Sequence, residues 1–340
     1  MSAATQLYLA TLGTYICVNV IASWALDLQF GVTGVLNFCF IIFQSAGAYT
    51  AAVLSLGPAS TSSGFQQYIV GLHLPFPVPI LGAMVVGGVL AGVVGLISLR
   101  RLRSDYQAMV MLVVSVIATT VVSAQVGLFN GPAGISLVTN PMVSLIHASR
   151  QTQIWVFVAF CVACMIVVGF IMYALVYSPY GRVLRAVREN DRAIEALGRN
   201  ANRHRMQVFI IGGVLAGLSG ALLVEFIGAW APNGWFYPET FVFFTAVIVG
   251  GRGSLLGVAI GAAVVGVGVQ QAVEYLPITL NPSVIASLEW IITGALTLTF
   301  LWIRPQGMFP ERRRRFPVPG RAAPPDFSEE LSPVREAFDV

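Results

Sequence analysis

The run Val78-Pro-Ile-Leu-Gly-Ala-Met-Val-Val-Gly-Gly-Val-Leu-Ala-Gly-Val-Val-Gly-Leu-Ile-Ser-Leu99 carries no charge, and Arg100-Arg101-Leu102-Arg103 follows it at once. An apolar stretch of about 20 residues matches the thickness of a bilayer's hydrocarbon core. Each Arg costs about 2.5–3.5 kcal/mol at the bilayer centre. The run therefore reads as a membrane span that ends at a water interface. A surface helix of a soluble protein keeps one polar face, and this run has none.

The same pattern extends in both directions. Residues 1–99 contain one formal charge, Asp27, and residues 106–177 contain only Arg150. The 340-residue chain is 56% hydrophobic and 10% charged, where soluble domains are about 25% charged. So few charges cannot cover a water-facing surface. Apolar runs near 7–26, 31–56, 78–99, 107–129, 155–177, 206–227, 238–251, 255–273 and 285–303 predict an all-α polytopic membrane protein of about nine transmembrane helices, eight to ten being admissible. The first run has no basic flank and reads as a retained span, not a cleavable signal. Segment 31–56 contains Gly31, Gly34, Asn37 and Gly47 and predicts a broken helix, tolerated only where backbone faces protein or a water-filled cavity. Segment 238–251 is short enough for a half-span.

Arginine placement orients the spans. Arg100, Arg101 and Arg103 follow the third run, seven Arg lie between 182 and 205, and Arg304 with Arg312–Arg315 follows the last. The positive-inside rule puts all three groups in the cytoplasm. Loops 57–77 and 130–152 are polar but almost uncharged, as expected of the outer side. The alternation leaves the side of the N-terminus open. Residues 1–309 are expected to form one membrane domain, and the Pro-, Arg- and acid-rich residues 310–340 a disordered cytoplasmic tail.

Composition excludes several chemistries. All 19 basic residues are Arg, so neither a P-loop lysine nor a Schiff-base lysine exists. His73, His147 and His204 show no metal-ligand spacing. Cys17, Cys39, Cys161 and Cys164 lie in apolar runs, where free Cys packs as a small hydrophobe. The basic excess sits in membrane-flanking loops and is no nucleic-acid footprint. No catalytic residue, metal site or cofactor is expected in this chain.

The long polar insert, 178–205, is patterned. Pro179 and Gly181 break the incoming span, and Arg182–Glu189 reads as a short helix with Val183, Leu184 and Val187 on one side. Asn190 or Asp191 can cap a second short helix through Leu197, with Gly198 as its stop. Mixed charges (Glu189, Asp191 and Glu195 among Arg) favour docking on a soluble protein partner over lying on lipid.

Ser178-Pro-Tyr-Gly-Arg-Val-Leu-Arg-Ala-Val-Arg-Glu-Asn-Asp-Arg-Ala-Ile-Glu-Ala-Leu-Gly198 closely resembles the coupling loop of branched-chain amino acid ABC transporter permeases of the LivM/LivH type. Further resemblances follow in order. They are Phe30-Gly-Val-Thr-Gly-Val-Leu-Asn37, Gly47-Ala-Tyr-Thr50, Leu102-Arg-Ser-Asp-Tyr106, Gly131-Pro-Ala-Gly134, Gly250-Gly-Arg-Gly-Ser-Leu-Leu-Gly257 and Arg304-Pro-Gln-Gly307. Together they cover residues 24–309. The resemblance implies an ABC importer permease bundle in the bacterial inner or plasma membrane. It implies a second homologous permease, two ATP-binding-cassette ATPases that hold ATP and Mg, and an external solute-binding protein. It also implies that Gly181, Arg182, Leu184, Arg185, Arg188, Glu189, Asp191, Glu195, Leu197 and Gly198 form the ATPase-coupling surface. The sequence departs from the family pattern at Cys39 and Phe40, where Gly-His is common, at Gln44, where an aromatic is usual, and at Ala133, where Asn is usual.

Translocation requires polar groups that briefly replace solute hydration. Thr33, Asn37, Gln44, Ser115, Gln125 and Thr245 are the candidates for the pathway, with helix–helix hydrogen bonding as the alternative for each. Asn37, in the glycine-interrupted segment, is the foremost. Asp27, Glu225 and Glu289 are expected near interfaces and wetted, and Gly212, Gly213, Gly217 and Gly220 are expected to serve close helix packing. The leading expectation is an importer permease for branched-chain amino acids. Urea or short amides, other amino acids, or a channel or secondary transporter remain open. An intramembrane enzyme lacks the required acid or His/Asp/Ser cluster.

Overall fold

Polar side chains cap several of the helix starts. In a computed structural model of the chain, residues 3–58, 66–99, 104–145, 149–274 and 282–311 are described. Ser149, Ser178, Asn190, Asn200 and Ser254 each accept a backbone N–H from the first turn of the helix that follows. Such caps satisfy donors that a helix start leaves open. The principal helices are α1 (Ala3–Asp27), α2 (Phe40–Ser55), α3 (Val78–Ser98), α4 (Ser104–Ala124), α5 (Arg150–Tyr177), α6 (Pro179–Glu189), α7 (Asp191–Ala196), α8 (Ala201–Ile227), α9 (Glu239–Gly250), α10 (Leu255–Ala263) and α11 (Pro282–Ile303). Among the described residues the extended pairings are two isolated bridges, Tyr68 with Phe129 and Ile135 with Trp230.

The all-α membrane architecture is as expected, and each of the nine apolar runs contains a helix. The count of nine complete spans is loose. Among the described residues, six helical stretches are long and apolar enough to cross a membrane: Thr5–Val32, Val78–Ser98, Tyr106–Ala124, Arg150–Tyr177, Ala201–Ile227 and Leu255–Val273. Helix α2 has 16 residues and α9 has 12, and at about 1.5 Å per residue each covers only part of a bilayer. The boundary placed at residue 31 also shifts. Helix α1 continues through a π-helical turn, Leu28–Val32, and the break falls at 33–39.

The two ends of the bundle differ. One end gathers the turn at 28–34, α6 and α7, the turn at 251–254 and the segment 304–311: Asp27 meets Gly253, and Arg188 meets Gly31 and Glu311. The other end gathers Gln66 with Ser136, and Ile135 with Trp230. Because Asp27 lies at the arginine end, the start of α1 lies at the opposite end. Geometry thereby settles a side that charge counting leaves open. Arg100, Arg101, Arg103, Arg312–Arg315 and the rest of the tail through residue 340 lie outside the described residues.

Small residues knit the centre. A Cβ on Gly47 would overlap the backbone of Gly217, and one on Gly217 would overlap the carbonyl of Ala83. One on Gly220 would overlap the carbonyl of Gln44. Helices α2, α3 and α8 therefore touch through backbone, as small-residue motifs in membrane helices allow. By contrast α4 and α5 expose much apolar surface, with Met109, Ile166 and Phe170 more than 60% exposed. In a membrane protein that is a lipid-facing or partner-facing surface.

Candidate functional site

Two places carry polar machinery: the arginine end and a cavity toward the opposite end.

At the arginine end, α6 begins at Pro179 behind the Ser178 cap, and Asn190 caps α7. Gly198 closes the pair at φ +76°, a conformation glycine reaches without strain. Leu184 is fully buried in the main core, while Val187 and Ile194 pack with Ala201 at the foot of α8. Burial raises the Tyr180 phenol above its usual pKa, and its hydroxyl donates to Gln207 Oε1 at 3.1 Å. Arg205 Nη2 pairs with Asp191 Oδ2 at 2.6 Å, fastening α7 to α8.

Arg185 and Arg188 turn inward. Arg185 Nε lies 2.5 Å from Glu311 Oε1, and Arg188 Nη2 lies 3.0 Å from Glu311 Oε2. Arg188 Nη1 also donates to the carbonyl of Gly31, in the last turn of the α1 extension. A cation is favourable at a helix C-terminus. Beside it Gly34, at φ +79°, packs against the Arg188 side chain. Asp27, fully buried, accepts from Gly253 N–H at 2.9 Å. Gly251, at φ +113°, packs against Gly307, where a Cβ would overlap Gly251 itself. Met308 and Phe309 donate to the carbonyls of Val249 and Gly250 at 2.8 and 3.1 Å. Segments up to 226 residues apart in sequence are thus in direct contact within one hub.

Of the residues expected to couple to an ATPase, Arg182, Glu189, Glu195, Leu197 and Gly198 are exposed. Leu197 is 77% exposed, a lone apolar side chain on a charged surface. Gly181 and Leu184 are buried, Gly181 because a Cβ there would overlap the Val176 carbonyl. Arg185, Arg188 and Asp191 are bound within the chain.

The six pathway candidates separate. Gln44, 2% exposed, lines a cavity of about 410 Å³ between α1, α2, α9 and the loops at 133–136 and 229–234. Ala133 lines it too, so two positions that depart from the family pattern face this space. Thr245 lines a second, mainly apolar cavity of about 510 Å³ beside α11 and bonds Thr297 at 2.6 Å. Asn37 is a packing hub. It donates to Gln29 Oε1 at 2.7 Å and accepts from the Cys39 N–H at 3.1 Å. Gln29 in turn donates to the Phe209 carbonyl at 3.2 Å. Thr33 donates to the Leu28 carbonyl at 3.0 Å. Ser115 is buried, and Gln125 is exposed at the end of α4.

Two acids differ from expectation. Asp27 and Glu225 are 0% and 1% exposed rather than wetted. The roles of Glu311, Trp230 and Glu239 carry no signal in one dimension, because each is set by distant segments that the fold brings beside it. Glu311 precedes an arginine run and reads there as part of a tail.

The model of the family described as branched-chain amino acid transport system / permease component matches residues 8–301. The probable branched-chain amino acid transport permease protein LivM of Methanocaldococcus jannaschii is 27% identical over 319 residues, covering 86% of this chain and 90% of its own. The high-affinity branched-chain amino acid transport system permease proteins LivM and LivH of Escherichia coli K12 are each 25% identical, over 92% and 83% of this chain and 72% and 87% of their own. No solved structure matches the chain.

Proposed function

The chain belongs to the family of branched-chain amino acid transport permeases, and from that premise we propose that it imports branched-chain amino acids across the cell membrane as one subunit of an ATP-driven complex. It is a membrane permease, not an enzyme. Its partners in this reading are a second, homologous permease, two ATPase subunits that hold ATP and Mg, and an external solute-binding protein.

The observation that carries the reading is the form of 178–205. Two capped helices are anchored by Leu184, Val187 and Ile194 and leave Arg182, Glu189, Glu195 and Leu197 facing out at the arginine end. A rigid, amphipathic, mixed-charge projection suits the groove of a soluble partner. Arg185 and Arg188 act on the inner side of this projection and join it to Gly31 and Glu311. In this reading α6 carries a push from the ATPases to the turn at 28–34, and through the unwound 33–39 segment to α2 and the cavity that Gln44 lines. A ligand shifts such an equilibrium only through differential contacts with its two states, and the hub supplies contacts that can differ.

Purification of the tagged chain in mild detergent, with mass spectrometry of what accompanies it and leucine uptake in proteoliposomes, tests the proposal. Two P-loop ATPases, a second permease and ATP-dependent leucine accumulation are expected. A chain recovered alone that moves solute without ATP overturns it in favour of a channel or secondary transporter.

A further inference from the structure

The cavity beside Gln44 holds polar groups that the fold leaves unused. Trp230 is 7% exposed, and its indole N–H is buried without a partner among the described residues. The loops hold this side chain deliberately. Its backbone exchanges two hydrogen bonds with Ile135, at 2.8 and 2.9 Å, and Gly134 lies so close that a Cβ would overlap the Trp230 carbonyl. Gln44, Tyr15 and Glu239 line the same cavity.

Polar groups that are buried in a native fold are nearly always paired. The Trp230 indole N–H is such an orphan, and with buried Gln44 and half-buried Tyr15 and Glu239 lining the same cavity it marks a place where a polar ligand can complete it. The remaining walls include Val18, Ile41 and Phe243. One carboxylate, indole and phenol donors, an amide and aliphatic walls match the three parts of a branched aliphatic amino acid: a cation, an anion and an apolar side chain. A volume of about 410 Å³ falls within the range of small-molecule sites. Urea or a short amide carries no ammonium group and would offer Glu239 only neutral N–H donors, without the charge pairing an α-ammonium group supplies.

We propose that this cavity is the transit site of the imported amino acid, with Glu239 receiving the α-ammonium group, Trp230 Nε1–H and the Tyr15 hydroxyl donating to the α-carboxylate, and the aliphatic wall holding the side chain. The assignment rests on the importer reading and specifies where its substrate is held. Gln44 is positioned to supply either a donor or an acceptor as the molecule turns. Helix α2, which carries Gln44 and Ile41, follows the unwound segment packed at Arg188, so the wall of the site is continuous with the hub.

The test uses the complete complex in proteoliposomes with saturating binding protein and radiolabelled leucine. Glu239→Gln is nearly isosteric and Trp230→Phe keeps the ring, so both preserve packing. Each is expected to lower the maximal uptake rate by about tenfold or more, the loss of a charge-assisted or buried hydrogen bond. Co-purification of the ATPases and ATP hydrolysis without substrate stay at wild-type levels, and Glu239→Asp recovers most of the uptake. A structural role would instead reduce assembly and hydrolysis together. A Gln44→Cys variant is expected to react with a small thiol reagent more slowly when leucine is present. Uptake within twofold of wild type in both Glu239→Gln and Trp230→Phe, or labelling unaffected by leucine, overturns the assignment. Failure of the importer reading would show separately, as a wild-type complex that does not accumulate leucine.

Discussion

Replacing Glu311 by Gln removes one charge and strips two arginines of their partner. In the native hub Glu311 holds Arg185 at 2.5 Å and Arg188 at 3.0 Å, with side-chain exposures of 15% for the acid and 25% and 23% for the arginines. Fully exposed pairs contribute about 0–1 kcal/mol, and breaking a buried pair costs about 3–5 kcal/mol. Three side chains mostly shielded from water fall between these limits, and Gln retains an acceptor, so the expected loss is about 2 kcal/mol. That corresponds to about a thirtyfold shift in an equilibrium, here between α6 seated on the turn at 28–34 and α6 released from it. Arg188 keeps its bond to the Gly31 carbonyl but loses the carboxylate that orients it. The assay is leucine transported per ATP hydrolysed in proteoliposomes, with hydrogen exchange over 179–189 as the structural readout. The variant is expected to hydrolyse ATP while transport per ATP falls several-fold and exchange in α6 rises. Glu311→Asp is expected to fall between it and the wild type. A Glu311→Gln complex with native stoichiometry and unchanged exchange would refute the reasoning.

Other substitutions separate docking, packing and polar satisfaction. Leu197→Asp places a charge at the 77%-exposed apolar position that caps the end of α7 and is expected to weaken ATPase co-purification without lowering the thermal stability of the isolated permease. Gly217→Val forces Cβ into the Ala83 carbonyl and separates α8 from α3. A loss of about 1–3 kcal/mol or more is expected, read as a lower melting temperature in detergent. Asn37→Leu strands Gln29 Oε1 and the Cys39 N–H and is expected to cost about 1–3 kcal/mol of stability. The same thermal assay, run beside uptake, distinguishes this from a pathway role: a transport defect at native stability would return Asn37 to the pathway.

Much of the architecture was legible in one dimension. Apolar transfer energies add along a segment and need no knowledge of neighbours, so every apolar run located from sequence contains a helix. Caps are equally local: Asn190 and Gly198 act within one turn of themselves. The glycines of α8 were legible as packing residues for the same reason, since absence of a side chain is a property of the residue. Segment 31–56 was legible as broken, although the break lies at 33–39 and α1 reaches Val32.

What a polar side chain faces was not legible, because that depends on how a helix is rotated and on which segment packs against it. Arg185 and Arg188 share the spacing of the outward Arg182, yet they turn to Glu311, more than 120 residues away. Asn37 and Gln44 read alike as intramembrane amides. The fold pairs the first with Gln29 and leaves the second against a cavity. Asp27 read as a wetted boundary residue and is instead buried beneath the turn at Gly253. By itself the sequence determined that the chain crosses a membrane, which loops carry the arginines and that 178–205 forms two short capped helices, since these follow from transfer energies and local caps. Only the tertiary structure decided which charges are spent inside the hub and which polar groups are left free for a ligand, since a charge acquires a partner only when distant segments come within a few ångströms.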